Sequence, residues 1–147
     1  MRILMFCLVG FNVYAQDPVS VKHSITIAGK KIDYTTQTGY LNLKNDTGKV
    51  IAHVFFTYYK KDGEAPGKRP VTFTFNGGPG SASVWLHMGG LAPKRVALAD
   101  DGTAPAPPYS LVSNEYTWLD KTDLVFIDPV STGYSRAASG ENPKQFH

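Results

Sequence analysis

The run Val71-Thr72-Phe73-Thr74-Phe75 empties into Asn76-Gly77-Gly78-Pro79-Gly80, with the small residues Ser81-Ala82-Ser83 behind it. Glycine has no Cβ, so a turn of this composition lets a ligand approach bare backbone N–H groups. Fixed N–H donors of that kind suit an oxyanion hole, which holds negative charge as it develops on a substrate oxygen. A tight structural turn is the plainer reading of Gly-Gly-Pro-Gly. Two features favour chemistry: the turn ends a buried-type strand, where α/β sheets place their sites, and it opens toward a helix start. A phosphate-binding loop fits less well, because the spacing of the glycines differs and the P-loop lysine is missing.

A nucleophile is harder to find. Gly133-Tyr134-Ser135-Arg136-Ala137 imitates a Gly-x-Ser-x-Gly elbow with alanine at its end. An elbow needs its strand to run straight into the serine, and Pro129 to Thr132 intervene here. Ser135 therefore reads as a decoy, and Ser81 and Ser83 as helix-start residues. His23 and His53 precede the turn, the wrong chain order for a serine–acid–histidine triad on an α/β-hydrolase sheet. His147 is the last residue, and the histidines lack metal-ligand spacing, so no metal is expected.

The elements that must position the turn follow from periodicity. Val19, Val21, Ile25 and Ile27 alternate with polar residues, which predicts a half-buried strand over 19–27. Strands are also predicted over Ile32–Thr36, Tyr40–Leu43, Val50–Tyr59 and Val71–Phe75, separated by Gly, Pro, Asn and Asp turn signals. Ser81–Met88 predicts a short helix stopped by Gly89-Gly90, and Leu124-Val125-Phe126-Ile127 a second apolar strand. Hairpins followed by a strand–loop–helix–strand unit predict an α/β fold. One short helix cannot cover both faces of such a sheet, so the chain reads as the opening part of a larger domain. Uncovered faces and edges on the Val71–Phe75 and Leu124–Ile127 strands would favour aggregation.

Composition bounds the rest. Of 147 residues, 42% are hydrophobic and 18% charged, which places the chain among globular proteins. The net charge of +3 is spread without a basic stripe, so no nucleic-acid partner is expected. Residues 1–15 read as a secretory signal: Met1-Arg2, an apolar stretch over Ile3–Val13, and a cleavage site after Ala15. That segment is too short to span a bilayer and predicts a secreted or periplasmic product with no membrane attachment once it is removed. Cys7 is the only cysteine and lies within the signal, so the mature chain 16–147 would hold no disulfide.

Several stretches, in order, resemble the serine carboxypeptidase family. Asn76 to Ser83 resembles its signature turn. Asn114-Glu115-Tyr116-Thr117-Trp118 resembles its Asn-x-Tyr-x-Trp segment, and Leu124–Asp128 the strand that follows. Asp128-Pro129-Val130-Ser131-Thr132-Gly133-Tyr134-Ser135 resembles the loop ending that strand, with Ser131 where the family often has glycine. Together the likeness runs from about Gly39 to Arg136.

The resemblance implies a partial α/β-hydrolase fold, with a mixed, mostly parallel sheet preceded by antiparallel N-terminal strands. It implies peptide substrates with a free C-terminal carboxylate and no cofactor. Asn76 would donate to that carboxylate with help from the Gly77 N–H, and the Gly78 N–H would form half of the oxyanion hole. The absence of cysteines from residues 16–147 and the stretch Leu86-His87-Met88-Gly89-Gly90 look like bacterial members. The chain would be the N-terminal portion of the enzyme, without nucleophile, acid or base, and inactive alone. Many members carry a glutamate on the helix after the turn, at the position of Gly90 here. His87, Lys94 or Arg95 could compensate for it electrostatically, though each reads more simply as a surface or loop residue. Two other readings stay open: a proline iminopeptidase or esterase, commonly with histidine at the position of Asn76, and a non-catalytic secreted β-rich fragment.

Overall fold

The computed structural model describes residues 17–65, 67–77 and 80–146. The expected signal over 1–15 lies outside them, as do Gly78 and His147. No helix among the described residues is long and apolar enough to cross a membrane.

The chain opens with three long antiparallel strands: β1 (Val19–Ile27), β2 (Lys30–Lys44) and β3 (Val50–Lys61). The β1–β2 hairpin closes through Ala28 and Gly29, both with positive φ, as a two-residue turn matched to strand twist demands. Two separate strands were expected over 32–43, but β2 is continuous. Gln37, Thr38 and Gly39 carry no apolar signal, yet Gln37 and Thr38 are paired to β1 and all three to β3, and ladder hydrogen bonding on both sides keeps them extended.

After β3 come β4 (Val71–Thr74), α1 (Val84–Leu86), a wider helical turn over His87–Leu91, and a small sheet of β5 (Lys94–Val96) with β6 (Leu111–Ser113). Then follow β7 (Asp123–Ile127) and the short β8 (Arg136–Ala137). The main sheet has the order β1-β2-β3-β7-β4, with β8 also on β3.

The expectation of a mostly parallel sheet is overturned. The sheet is mixed but mostly antiparallel, and β4–β7 is its one parallel pair among the described residues. The cause is connectivity. Parallel neighbours need a long crossover, and only the β4-to-β7 connection, which carries the helix and small sheet, supplies one. The other strands arrive by hairpins, or insert beside β3 running against it.

One face of the sheet is filled. Ile25, Ile27, Ile32, Tyr34, Tyr59, Leu124 and Phe126 pack there with Leu119 and Ala92. The face alternates with β-strand period, so the neighbours of these residues point the other way. On that opposite side Val71, Phe73 and Phe75 are 44%, 63% and 63% exposed, which is a bare apolar surface on the sheet's outer strand. The lower end is pinned by Asp123. Its Oδ1 accepts from Arg69 Nε at 2.9 Å and from Lys61 N at 3.1 Å, and its Oδ2 accepts from Tyr58 Oη at 3.1 Å. Arg69 Nη2 also donates to the Leu119 carbonyl at 2.7 Å.

Candidate active site

The carboxyl ends of β4 and β7 lie side by side, in register through Thr74 and Phe126. Two residues beyond this pair stand Asn76 and Asp128, at the end of the sheet where α/β folds place ligands. The Asn76 carboxamide oxygen is buried and has no partner among the described residues. Gly77 is exposed, with open space where a Cβ would sit. Gly80 holds φ +106°, a conformation L side chains rarely adopt, so it is the described glycine of this turn that the backbone itself requires.

Asp128 ties the glycine turn's far end to β7. Its Oδ1 accepts from Ser83 N at 2.9 Å and Ser83 Oγ at 3.0 Å, and its Oδ2 from Tyr134 N at 3.1 Å. Asp128 and Ser83 are both buried. The Ser83 hydroxyl thus serves a carboxylate across the fold and caps no helix N–H. Gly133 must be glycine for the same reason: a Cβ there would lie 1.9 Å from Asp128 Oδ2.

Ser135 is fully buried. Its Oγ donates to the Asp128 carbonyl at 2.7 Å and accepts from Phe55 N at 2.7 Å. It fastens the loop to β3 and has no direction left open toward a substrate. His23 stacks on Tyr34 in the first hairpin, and His53 Nδ1 meets Asn42 Oδ1 at 2.8 Å, both away from the glycine turn in the chain's strand ladder. Lys94 and Arg95 sit in β5, where Lys94 Nζ donates to Ser113 Oγ at 3.2 Å. Asn114 is almost fully buried and clamps the end of the helical turn. Its Nδ2 donates to the carbonyls of Gly90 at 2.6 Å and Ala92 at 2.8 Å. Thr117 Oγ1 adds a bond to the Leu91 carbonyl at 2.6 Å. The Asn-x-Tyr-x-Trp segment is therefore a brace for the helix after the glycine turn.

His87 is the residue the sequence misplaced. It is no surface cation: its ring stacks on Phe126 at 4.4 Å and its Nε2 lies 2.6 Å from Tyr59 Oη. With Phe55, Thr57, Ser83, Met88 and Asp128 it lines a cavity of about 330 Å³. The one available clue was its place in the apolar run Val84-Trp85-Leu86-His87-Met88.

Burial pulls the His87 imidazole down from 6.5 to about 4, against the opposing pull of the Asp128 carboxylate. A histidine depressed on folding adds stability above its unfolded pKa, and that stability is lost as pH falls through the folded value. The chain should therefore lose, between pH 6.5 and 4, up to something on the order of 3 kcal/mol that a His87→Phe variant keeps. Urea midpoints measured across that window check this, and identical acid slopes for the two proteins would refute it.

Comparison with known proteins adds a second line. A family model described as serine carboxypeptidase matches residues 27–146. Serine carboxypeptidase-like 33 of Arabidopsis thaliana is 30% identical over 107 residues, covering 71% of this chain and 20% of its own length. Carboxypeptidase Y of Saccharomyces cerevisiae is 29% identical over 114 residues, covering 77% and 19%. Pheromone-processing carboxypeptidase KEX1 of Cryptococcus gattii is 33% identical over 118 residues, covering 80% and 17%. All three are eukaryotic, and the chain spans about a fifth of their length.

Proposed function

The chain belongs to the serine carboxypeptidase family, and on that premise we propose that it is the N-terminal part of an enzyme that releases C-terminal residues from peptides. The segment supplies the grip on the substrate's free acid and one donor of the oxyanion hole. A serine elsewhere in the enzyme attacks the last peptide carbonyl, forms an acyl-enzyme and is freed by water.

The observation that carries this reading is the placement of Asn76. It stands at the carboxyl end of the parallel strand pair with its amide oxygen turned into the protein. That orientation leaves Nδ2 to donate to a carboxylate, and a neutral amide does so at any pH. The Gly77 N–H adds a second donor. The Gly78 N–H is assigned by the family resemblance as the donor to the carbonyl oxygen, where such a donor contributes about 3 kcal/mol in the transition state. Gly90 has open space at its Cβ position, and no acid from that site takes part.

The finer reading is a bacterial-type, secreted or periplasmic enzyme. Its support is the apolar stretch over 3–13 with small residues before Gln16, and the lack of cysteine over 16–147. Peptide substrates are the partners, with no cofactor, nucleic acid or membrane.

Asn76→Ala tests the central claim in the full-length enzyme. Losing a hydrogen bond to a charged group should lower kcat/KM for free-acid peptides roughly 10- to 100-fold. Kinetics on amidated peptides should change little. An unchanged preference for free acid over amide would refute the assignment.

A further inference from the structure

Thr74 is the last residue of β4, and Asn76 follows two residues later. Thr74 is the register partner of Phe126 and so lies on the face that carries it, at the end of the strand from which Asn76 follows. Thr74 is 7% exposed. Its Oγ1 and the Asn76 Oδ1 are both buried, and neither has a hydrogen-bond partner among the described residues. Thr72, the next residue on this face, is satisfied: its Oγ1 meets Thr122 Oγ1 at 3.0 Å. The unpaired atoms are therefore confined to the two positions nearest the glycine turn.

Leaving a buried polar group unpaired costs free energy, and nearly all such groups in folded proteins find a partner. The two here are complementary. A hydroxyl can donate, and a carboxamide oxygen can only accept. Positions two apart in an extended chain are about 6.6 Å from each other. That is too far for a direct backbone-fixed contact, but one water bridging with two bonds of about 2.8 Å spans most of it.

We propose that Thr74 is a positioning residue for Asn76: its hydroxyl, through one internal water, holds the Asn76 carboxamide oxygen inward and so keeps Nδ2 facing the substrate carboxylate. The proposal rests on the carboxylate-binding role of Asn76. A flipped carboxamide would present its oxygen to the anion, a repulsive contact in place of an attractive one. Thr74 thereby sets how strictly free-acid peptides are preferred, without touching the substrate.

The test compares Thr74→Val, Thr74→Ser and Asn76→Ala in the full-length enzyme, on a peptide and its C-terminal amide. Valine keeps the shape and deletes the hydroxyl. The expected result is a KM for the free-acid peptide raised about tenfold by valine, with kcat and the amide's kinetics unchanged and wild-type behaviour for serine. A Thr74→Val enzyme with the wild-type free-acid preference, while Asn76→Ala abolishes it, would overturn this inference alone. If Asn76→Ala also leaves the preference intact, the carboxylate reading falls and takes the inference with it. Should the valine variant not fold, a high-resolution crystal structure of the wild-type enzyme decides. A water within hydrogen-bond distance of both Thr74 Oγ1 and Asn76 Oδ1 supports the proposal, and another partner on either atom overturns it.

Discussion

Replacing Gly133 with alanine is expected to leave no properly folded protein. The added Cβ would sit 1.9 Å from Asp128 Oδ2, 2.5 Å from Asp128 Cγ and 3.1 Å from Ala82 Cβ. The carboxylate cannot simply swing aside, because three donors from Ser83 and Tyr134 hold it. Relief would require breaking those bonds inside the protein, where each unsatisfied buried group costs about 1–3 kcal/mol. The φ of +46° adds a backbone penalty of about 1–2 kcal/mol for any L side chain. Together these rival the whole stability of a small domain. Gly140→Ala is the control. Its φ is +83°, but nothing lies within 4 Å of the new methyl, so only the backbone penalty applies. Soluble yield and urea unfolding of the two variants check the contrast, and a Gly133→Ala protein as stable as Gly140→Ala would refute the account.

The second large effect is expected at the opposite end of the sheet. Arg69→Ala should destabilise by about 3–5 kcal/mol, because it strands a buried carboxylate. The Arg69 and Asp123 side chains are 12% and 7% exposed, and their contact is 2.9 Å. Removing the guanidinium leaves the Asp123 carboxylate with Lys61 N and Tyr58 Oη as its donors among the described residues, and removes the Arg69 donor from the Leu119 carbonyl as well. The exposed pair Lys31–Asp33, at a similar 2.9 Å, is the comparison: water already solvates both partners, and Lys31→Ala should cost under about 1 kcal/mol. Denaturation midpoints of the two variants measure the difference. Equal losses would mean that burial does not set the strength of the Arg69 contact.

What could be read from the sequence follows the range of the forces involved. β1, β3 and β7 are dense in β-branched, aromatic or alternating apolar residues, and their positions are close to those expected. The strand-to-glycine-turn step at Asn76 is equally local and equally legible. β5, β6 and β8 are two or three residues long and exist because of what lies beside them, so no local pattern announces them. Gly89-Gly90 reads as a helix stop, but Asn114, 24 residues beyond Gly90, grips the Gly90 carbonyl and the helix widens through the pair. The link between Ser83 and Asp128 spans 45 residues. Motif order hinted that both mattered, but nothing local says that one holds the other. Parallel or antiparallel pairing is likewise a property of the path between strands, so the sheet's direction is not legible in the local patterns that mark β1, β3 and β7.

The bare side of the outer strand has a consequence for handling this polypeptide. Phe73 and Phe75 offer a sticky surface that a second molecule can cover as well as any other partner. Loss of monomer through such a surface is a bimolecular process, so its half-life shortens in proportion as the solution is made more concentrated. Dilution, or a mild detergent occupying those rings, then preserves the chain better than cooling does, since apolar association weakens only modestly in the cold.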